Sequence, residues 1–126
     1  LGERVMKLKI LVIDDEPHIV KILETRLRHI GYDVITGTNG VEALAKTREE
    51  KPNLVILDVM IPPPNGFQVC STLKDDPECN QIPIILLTAK STESDQFWGT
   101  ESGADAYLTK PYNAEDLMNT VKSLIK

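Results

Sequence analysis

Five times along this 126-residue chain a short run of branched apolar residues gives way to a stretch with helical spacing of its apolar positions. The runs fall at Leu8 to Ile13, at Asp33 to Thr36 in weaker form, at Leu54 to Leu57, at Ile84 to Leu87 and at Ala106 to Leu108. Few folds satisfy this alternation, because a right-twisted strand, its crossover helix and the next parallel strand pack together in one hand only. The better-defined runs are apolar throughout rather than alternating, as strands covered on both faces must be. The expectation is therefore α/β: one doubly wound domain over residues 1–126, with a parallel five-stranded sheet between two helical layers. Residues 1–7 are expected to be partly disordered or a remnant of expression.

The helical stretches carry their own punctuation. Ile19, Ile22, Leu23, Leu27 and Ile30 share one face at a 3.6-residue period, and the glycine of "HIGYDV" stops that helix. Asn39 and Glu42 resemble a cap with its reciprocal acid, opening "GVEALAKTREE" as the second helix before Pro52. "FQVCSTLKDD" gives a third, and "SDQFWGTESG" a short, weakly amphipathic fourth closed by Gly103. "NAEDLMNTVKSLIK" gives the fifth, with Asn113 as cap and Leu117, Val121 and Leu124 on one face.

Composition narrows the function classes. Hydrophobic residues make up 41% and charged residues 26%, the balance of a soluble globular domain, and no apolar run is long enough to span a bilayer. A net charge of -5 argues against direct nucleic-acid binding, which takes clustered lysine and arginine. "LGERVMKLKILV" lacks the pattern of a secretory signal, so a cytoplasmic location away from membranes is expected. Cys70 and Cys79 have no zinc-binding spacing and read as free thiols.

Polar residues gather where the strands end. "LVILDVMIPPPNG" runs from a buried-type strand into Asp58 and then three prolines; the first strand ends in Asp14, Asp15 and Glu16, the fourth in Thr88, the fifth in Thr109 and Lys110. The second ends in Thr36 and Gly37 and contributes nothing evident. Ligands of open parallel sheets collect beyond the carboxyl ends of the strands, where the strand order reverses. With a 2-1-3-4-5 order the acids converge, and three crowded carboxylates must either protonate or hold a cation. An all-oxygen donor set suits Mg²⁺. Lys110 is then a point charge for a phosphoryl group, Thr88 offers a hydroxyl, and Asp58 is placed to become an aspartyl phosphate. Plainer readings stand beside these: the acidic pair as a solvated turn or cap, and Tyr107 as a half-buried strand residue. His18 reads as a first-turn surface residue, and His29 as a side chain favoured by the helix dipole. Trp98 is either core filler or an anchor on the face formed by the fourth helix, fifth strand and fifth helix.

In their order and spacing "ILVIDDEP", "LVILDVMIPPPNG", "PIILLTA" and "GADAYLTKP" resemble the receiver domain of two-component response regulators over nearly the whole chain. The resemblance implies a flavodoxin-like (βα)5 fold. It implies that Asp58 accepts a phosphoryl group from a phosphohistidine on a sensor histidine kinase or phosphotransfer protein. Asp15 and Asp58 would ligate Mg²⁺ directly with the backbone carbonyl of Met60, and Asp14 mainly through water. Thr88 would be the switch hydroxyl, Tyr107 the rotating aromatic and Lys110 the phosphoryl partner, with the Lys110–Pro111 bond in cis.

Such a domain is a switch that assists its own phosphorylation and dephosphorylation, not an enzyme acting on an outside substrate. Its helix 4, strand 5 and helix 5 face would control an output domain or protein, with room for a phosphorylation-dependent homodimer. Pro63 and Pro64 depart from the family pattern and should stiffen their loop, and Asn65 and Gln68 stand where acids are common. None of these removes a phosphorylation residue. An inert pseudo-receiver serving dimerisation would be expected to lose an acid; a Mg²⁺-dependent phosphatase would need a further acid and a cap domain; in a flavin-binding domain "DDEP" would repel the cofactor phosphate.

Overall fold

The computed structural model describes residues 7–89, 97–98 and 100–125. Five strands are present: β1 (Lys9–Ile13), β2 (Asp33–Gly37), β3 (Leu54–Asp58), β4 (Ile84–Thr88) and β5 (Ala106–Thr109). The helices are α1 (Pro17–Ile30), α2 (Gly40–Glu50), α3 (Gly66–Asp75) and α4 (Ala114–Leu124). Phe97, Trp98, Thr100 and Glu101 are helical too, within the stretch where the fourth helix was expected. The rest of that expectation before Phe97, with Gly99, lies outside the described residues, as do residues 1–6.

All strand pairs are parallel, as the alternation requires, and the order is the expected β2-β1-β3-β4-β5. Successive residues of a strand point to opposite faces, so each strand feeds two cores. Leu11, Ile13, Val55, Leu57, Ile84 and Leu86 pack beneath α2 and α3, meeting Ala43, Val69, Cys70 and Leu73. Ile10, Val12, Leu54, Ile56, Ile85 and Leu87 pack on the other side against Leu23 and Leu27 of α1 and Leu117, Met118 and Val121 of α4. Burying each such side chain contributes roughly 1.5–3 kcal/mol, so the central strands β3 and β4, buried at every residue, dominate cohesion.

Three local details differ from the sequence pattern. Leu23 and Leu27 are buried, but Ile22 is 54% and Ile30 41% exposed, since one sits at the edge of the apolar arc and the other at the helix end. Asn39 does cap α2, accepting from the Glu42 N–H at 2.8 Å. The Glu42 carboxylate, however, accepts from the Thr38 hydroxyl at 2.8 Å and the Asn39 side-chain amide at 3.2 Å instead of the cap backbone N–H. The complete reciprocal box lies at α3, where Asn65 Oδ1 accepts from the Gln68 N–H at 3.0 Å and Gln68 Oε1 from the Asn65 N–H at 2.9 Å. Asn65 and Gln68 thus fill a capping role with amides.

The Lys110–Pro111 bond is cis as expected, and Pro63–Pro64 is cis as well. Cys70 and Cys79 are free and buried; burial pushes the Cys70 thiol up to about 11, which keeps it protonated. Among the described residues no helix is long and apolar enough to cross a membrane.

Gly66 shows how tightly α3 abuts the end of β3. A Cβ there would lie 2.6 Å from both the Asp58 carbonyl oxygen and the Val59 Cα, backbone atoms that cannot swing aside. Gly66→Ala is therefore expected to lower stability by about 1–3 kcal/mol despite alanine's better helix propensity. Urea denaturation checks this; an unchanged midpoint would mean that the helix start can slide away from the strand.

Candidate functional site

The parallel register brings the carboxyl ends of four strands level, pairing Ile13 with Leu57, Asp58 with Leu87 and Thr88 with Thr109. Asp14 follows β1, Asp58 and Thr88 close β3 and β4, and Lys110 follows β5. Asp14, Asp58 and Thr88 are 1%, 5% and 2% exposed. The Lys110 ammonium joins the two acids: Nζ lies 2.6 Å from Asp58 Oδ2 and 3.4 Å from Asp14 Oδ2. Backbone groups hold the other carboxylate oxygens. Asp58 Oδ1 accepts from the Met60 N–H at 2.8 Å, and Asp14 Oδ1 from the Glu16 N–H at 3.0 Å. The Lys110 N–H donates to the Thr88 carbonyl at 2.6 Å, which keeps the lysine beside the end of β4.

The acids differ in what they face. Asp14 and Asp58 turn inward, whereas Asp15, one residue on, is exposed. The three-carboxylate convergence expected from sequence is thus a pair, and among the described residues no three His, Cys, Asp or Glu side chains are grouped to hold a metal. The donor set still suits a hard cation, because Mg²⁺ keeps several waters and takes only one or two carboxylates alongside carbonyl or phosphate oxygens. Met60 has an exposed side chain and meets Asp58 through its backbone.

Tyr107 is partly buried against the core beneath α2 and α3, while α4 packs on the opposite core. Tyr107 and the last helix therefore flank the edge strand from opposite sides. Trp98 is not core filler: it is 53% exposed and lines a groove beside α3. His18 is on the surface, 3.6 Å from the Glu16 carboxylate.

Two contributors left little trace in the sequence. Gly37, at the end of β2, accepts from the Asp14 N–H at 3.2 Å and so anchors the residue that turns inward. Tyr112 is half-buried close to the site; burial pushes its phenol up, while the Lys110 charge acts in the other direction. Its only sequence signal was its place two residues after Lys110. The proline loop is fixed from the side of α2, where the Gly40 N–H donates to the Pro62 carbonyl at 3.1 Å and Pro64 occupies the space a Gly40 Cβ would need.

Electrostatics follow from this packing. Burial is the largest influence on Asp14 and raises it from 3.8 to about 6, with the neighbouring Asp58 charge adding to the rise and the Glu16 N–H and Lys110 opposing it. Burial alone would lower Lys110, but the Asp58 hydrogen bond and both acids more than offset it and hold the ammonium above its ordinary range.

Comparison with known proteins agrees with this geometry. The response regulator receiver domain model matches residues 10–122. The chain is 48% identical over 120 residues to the probable transcriptional regulator ycf27 of Porphyridium aerugineum, covering 95% of this chain and 49% of that protein. It is 46% identical over 121 residues to the alkaline phosphatase synthesis transcriptional regulatory protein PhoP of Bacillus subtilis (strain 168), covering 96% and 50%. The chain thus spans about half the length of these curated relatives. Among solved structures, the chemotaxis protein CheY4 of Vibrio cholerae superposes with a TM-score of 0.87 at 30% identity, over 95% of this chain and 100% of that one.

The raised Asp14 has a consequence for stability. The folded protein holds this proton more tightly than the unfolded chain does, so the stabilisation is full below pH 3.8 and is lost as pH rises through about 6. Asp14→Asn removes the buried negative charge and leaves Lys110 paired with Asp58. At pH 7 the variant is expected to be more stable, by on the order of 1–3 kcal/mol, with a flatter pH dependence across that window. Denaturation with chelator at pH 4, 5.5 and 7 tests it; equal gains at all three would place the effect elsewhere.

Proposed function

The chain belongs to the response regulator receiver family of two-component signalling, and from that premise we propose that Asp58 is its phosphoacceptor and that phosphorylation switches the domain between two states. Receiver domains are signalling proteins, not classical enzymes; they interact with histidine kinases and output domains and generally use Mg²⁺. The observation that carries the reading is the Lys110 ammonium 2.6 Å from Oδ2 of a buried carboxylate at the end of the central strand.

In the proposed reaction a carboxylate oxygen of Asp58 attacks the phosphorus of a phosphohistidine. The O–P bond forms as the N–P bond breaks, and the imidazole leaves with the electron pair and takes up a proton. Asp58 Oδ1 is fixed by the Met60 N–H, which restricts the carboxylate to one plane of approach. Lys110 stays beside the acid as the phosphoryl oxygens arrive and counters their charge. Asp15 and Asp58 with the Met60 carbonyl would hold Mg²⁺ directly and Asp14 mainly through water, and the ion when bound supplies further positive charge to the transferring group. The retained acids and lysine favour this switch over an inert dimerisation module.

A small phosphodonor such as acetyl phosphate with Mg²⁺ should add one phosphoryl group, read by intact mass. Asp58→Asn should abolish the addition, and Lys110→Ala should leave acceptance slower or the product altered in lifetime. Undiminished labelling of Asp58→Asn would overturn the assignment.

Coupling to a second state runs through Thr88, whose carbonyl already contacts the Lys110 backbone. Its hydroxyl turns toward the new phosphoryl oxygens and frees space for Tyr107 to move inward. NMR spectra with and without beryllofluoride should show large changes around Tyr107 in the wild type that shrink in Thr88→Ala. Changes confined to the acid pocket in both proteins would mean that charge at Asp58 biases no second state.

A further inference from the structure

We propose that the groove between α3 and the helical turn bearing Phe97 and Trp98 is a docking site for a basic peptide segment, with an arginine seated on the Trp98 indole. Two adjoining cavities, about 320 and about 260 Å³, share Phe67, Gln68 and Trp98 as lining. The smaller reaches Asn65 at the start of α3 and the larger reaches Asp75 at its end. Together they follow a helix of ten residues, about 15 Å, the length of four or five extended peptide residues.

Trp98, which lines both cavities, is exposed, and Phe97 beside it is exposed as well. Trp98 is 53% and Phe97 56% exposed, and their rings meet edge to face at 5.3 Å and 83°. The edge-to-face contact couples the two rings, and the indole is the aromatic group that lines both cavities together with Phe67. An exposed aromatic surface in a trough is a contact surface awaiting cover.

Charge selects the occupant. Asp75 and Glu101 line the larger cavity, and no Lys, Arg or His lines either one among the described residues. Arginine fits this combination, because its planar guanidinium stacks on an indole while its forked N–H groups reach carboxylates. A second copy of the chain is disfavoured, since it carries a net charge of -5 and would set two acidic rims together. Nucleic acid is disfavoured for the same reason. The groove lies on the α3 side of the Trp98 turn, and among the described residues none from β5 or α4 lines it.

Trp98 is the sole tryptophan, so its fluorescence reports on the groove directly. The test titrates the protein with a capped eight-residue peptide holding two arginines flanked by leucines, and with the same peptide carrying glutamates in their place. Backbone amide shifts by NMR locate the contact. The arginine peptide should shift Phe67 to Asp75 and the Trp98 indole N–H, and should weaken as salt is raised. Trp98→Ala and the double variant Asp75→Asn/Glu101→Gln should each weaken it at least about fivefold. Glu49→Gln/Glu50→Gln, on α2, should leave it unchanged and excludes general attraction to an acidic protein. These side chains are exposed, so the variants are expected to fold, with retained amide dispersion as the control. No shift at millimolar peptide, equal binding of the glutamate peptide, equal affinity in the double variant, or self-association through Trp98 would each overturn the proposal.

Discussion

The carboxyl edge of the sheet depends on one ammonium. Two carboxylates, each almost fully withdrawn from water, stand at the ends of adjacent central strands, and Lys110 reaches both from the edge strand. Desolvation makes an unpaired buried acid costly enough that it would sooner take up a proton. Asp14 is already part of the way there, raised to about 6 even with Lys110 beside it. The fold thus accepts strained electrostatics at one edge, and the fully buried β3 and β4 supply the cohesion that tolerates it.

Backbone contacts hold this edge in shape. β2 brings no side chain to the pocket, but the Gly37 carbonyl fixes the Asp14 N–H. The loop after Asp58 is gripped from two directions: α2 donates the Gly40 N–H to Pro62, and Gly66 tucks α3 against the Asp58 carbonyl. Successive prolines bring no N–H of their own, so the donor must come from a neighbouring element. Gly40 is that neighbour, and it has no side chain to obstruct Pro64.

The strands were legible because a parallel strand covered on both faces must be apolar at nearly every position, and such runs have few other uses. Asp58, Thr88 and Lys110 followed, since each ends or directly follows a recognisable strand and those ends are level. Asp14 and Asp15 were not separable in the same way. β1 stops at Ile13, the pleat no longer dictates direction beyond it, and only the contacts with Gly37, Glu16 and Lys110 decide which acid turns inward. The side faced by Trp98 was equally hidden, because a short, weakly amphipathic segment does not fix its rotation about its own axis. Asn65 and Gln68 stood out as substitutions for acids, while their reciprocal hydrogen bonds depend on the exact start of α3.

The first turn of α3 joins the two sites. Gly66 lies against the backbone of Asp58, and its neighbour Phe67 is in the floor of the aromatic groove. A rigid helix transmits a shift at its start along its whole length, and the capping box of Asn65 and Gln68 makes that start rigid. A peptide in the groove and a charge on Asp58 would therefore act on one element from its two sides. Their influence on each other is fixed in form, though not in size: whatever free energy one site gives to the other's binding is returned in equal measure. That free energy is zero unless α3 has two positions that the ligands distinguish.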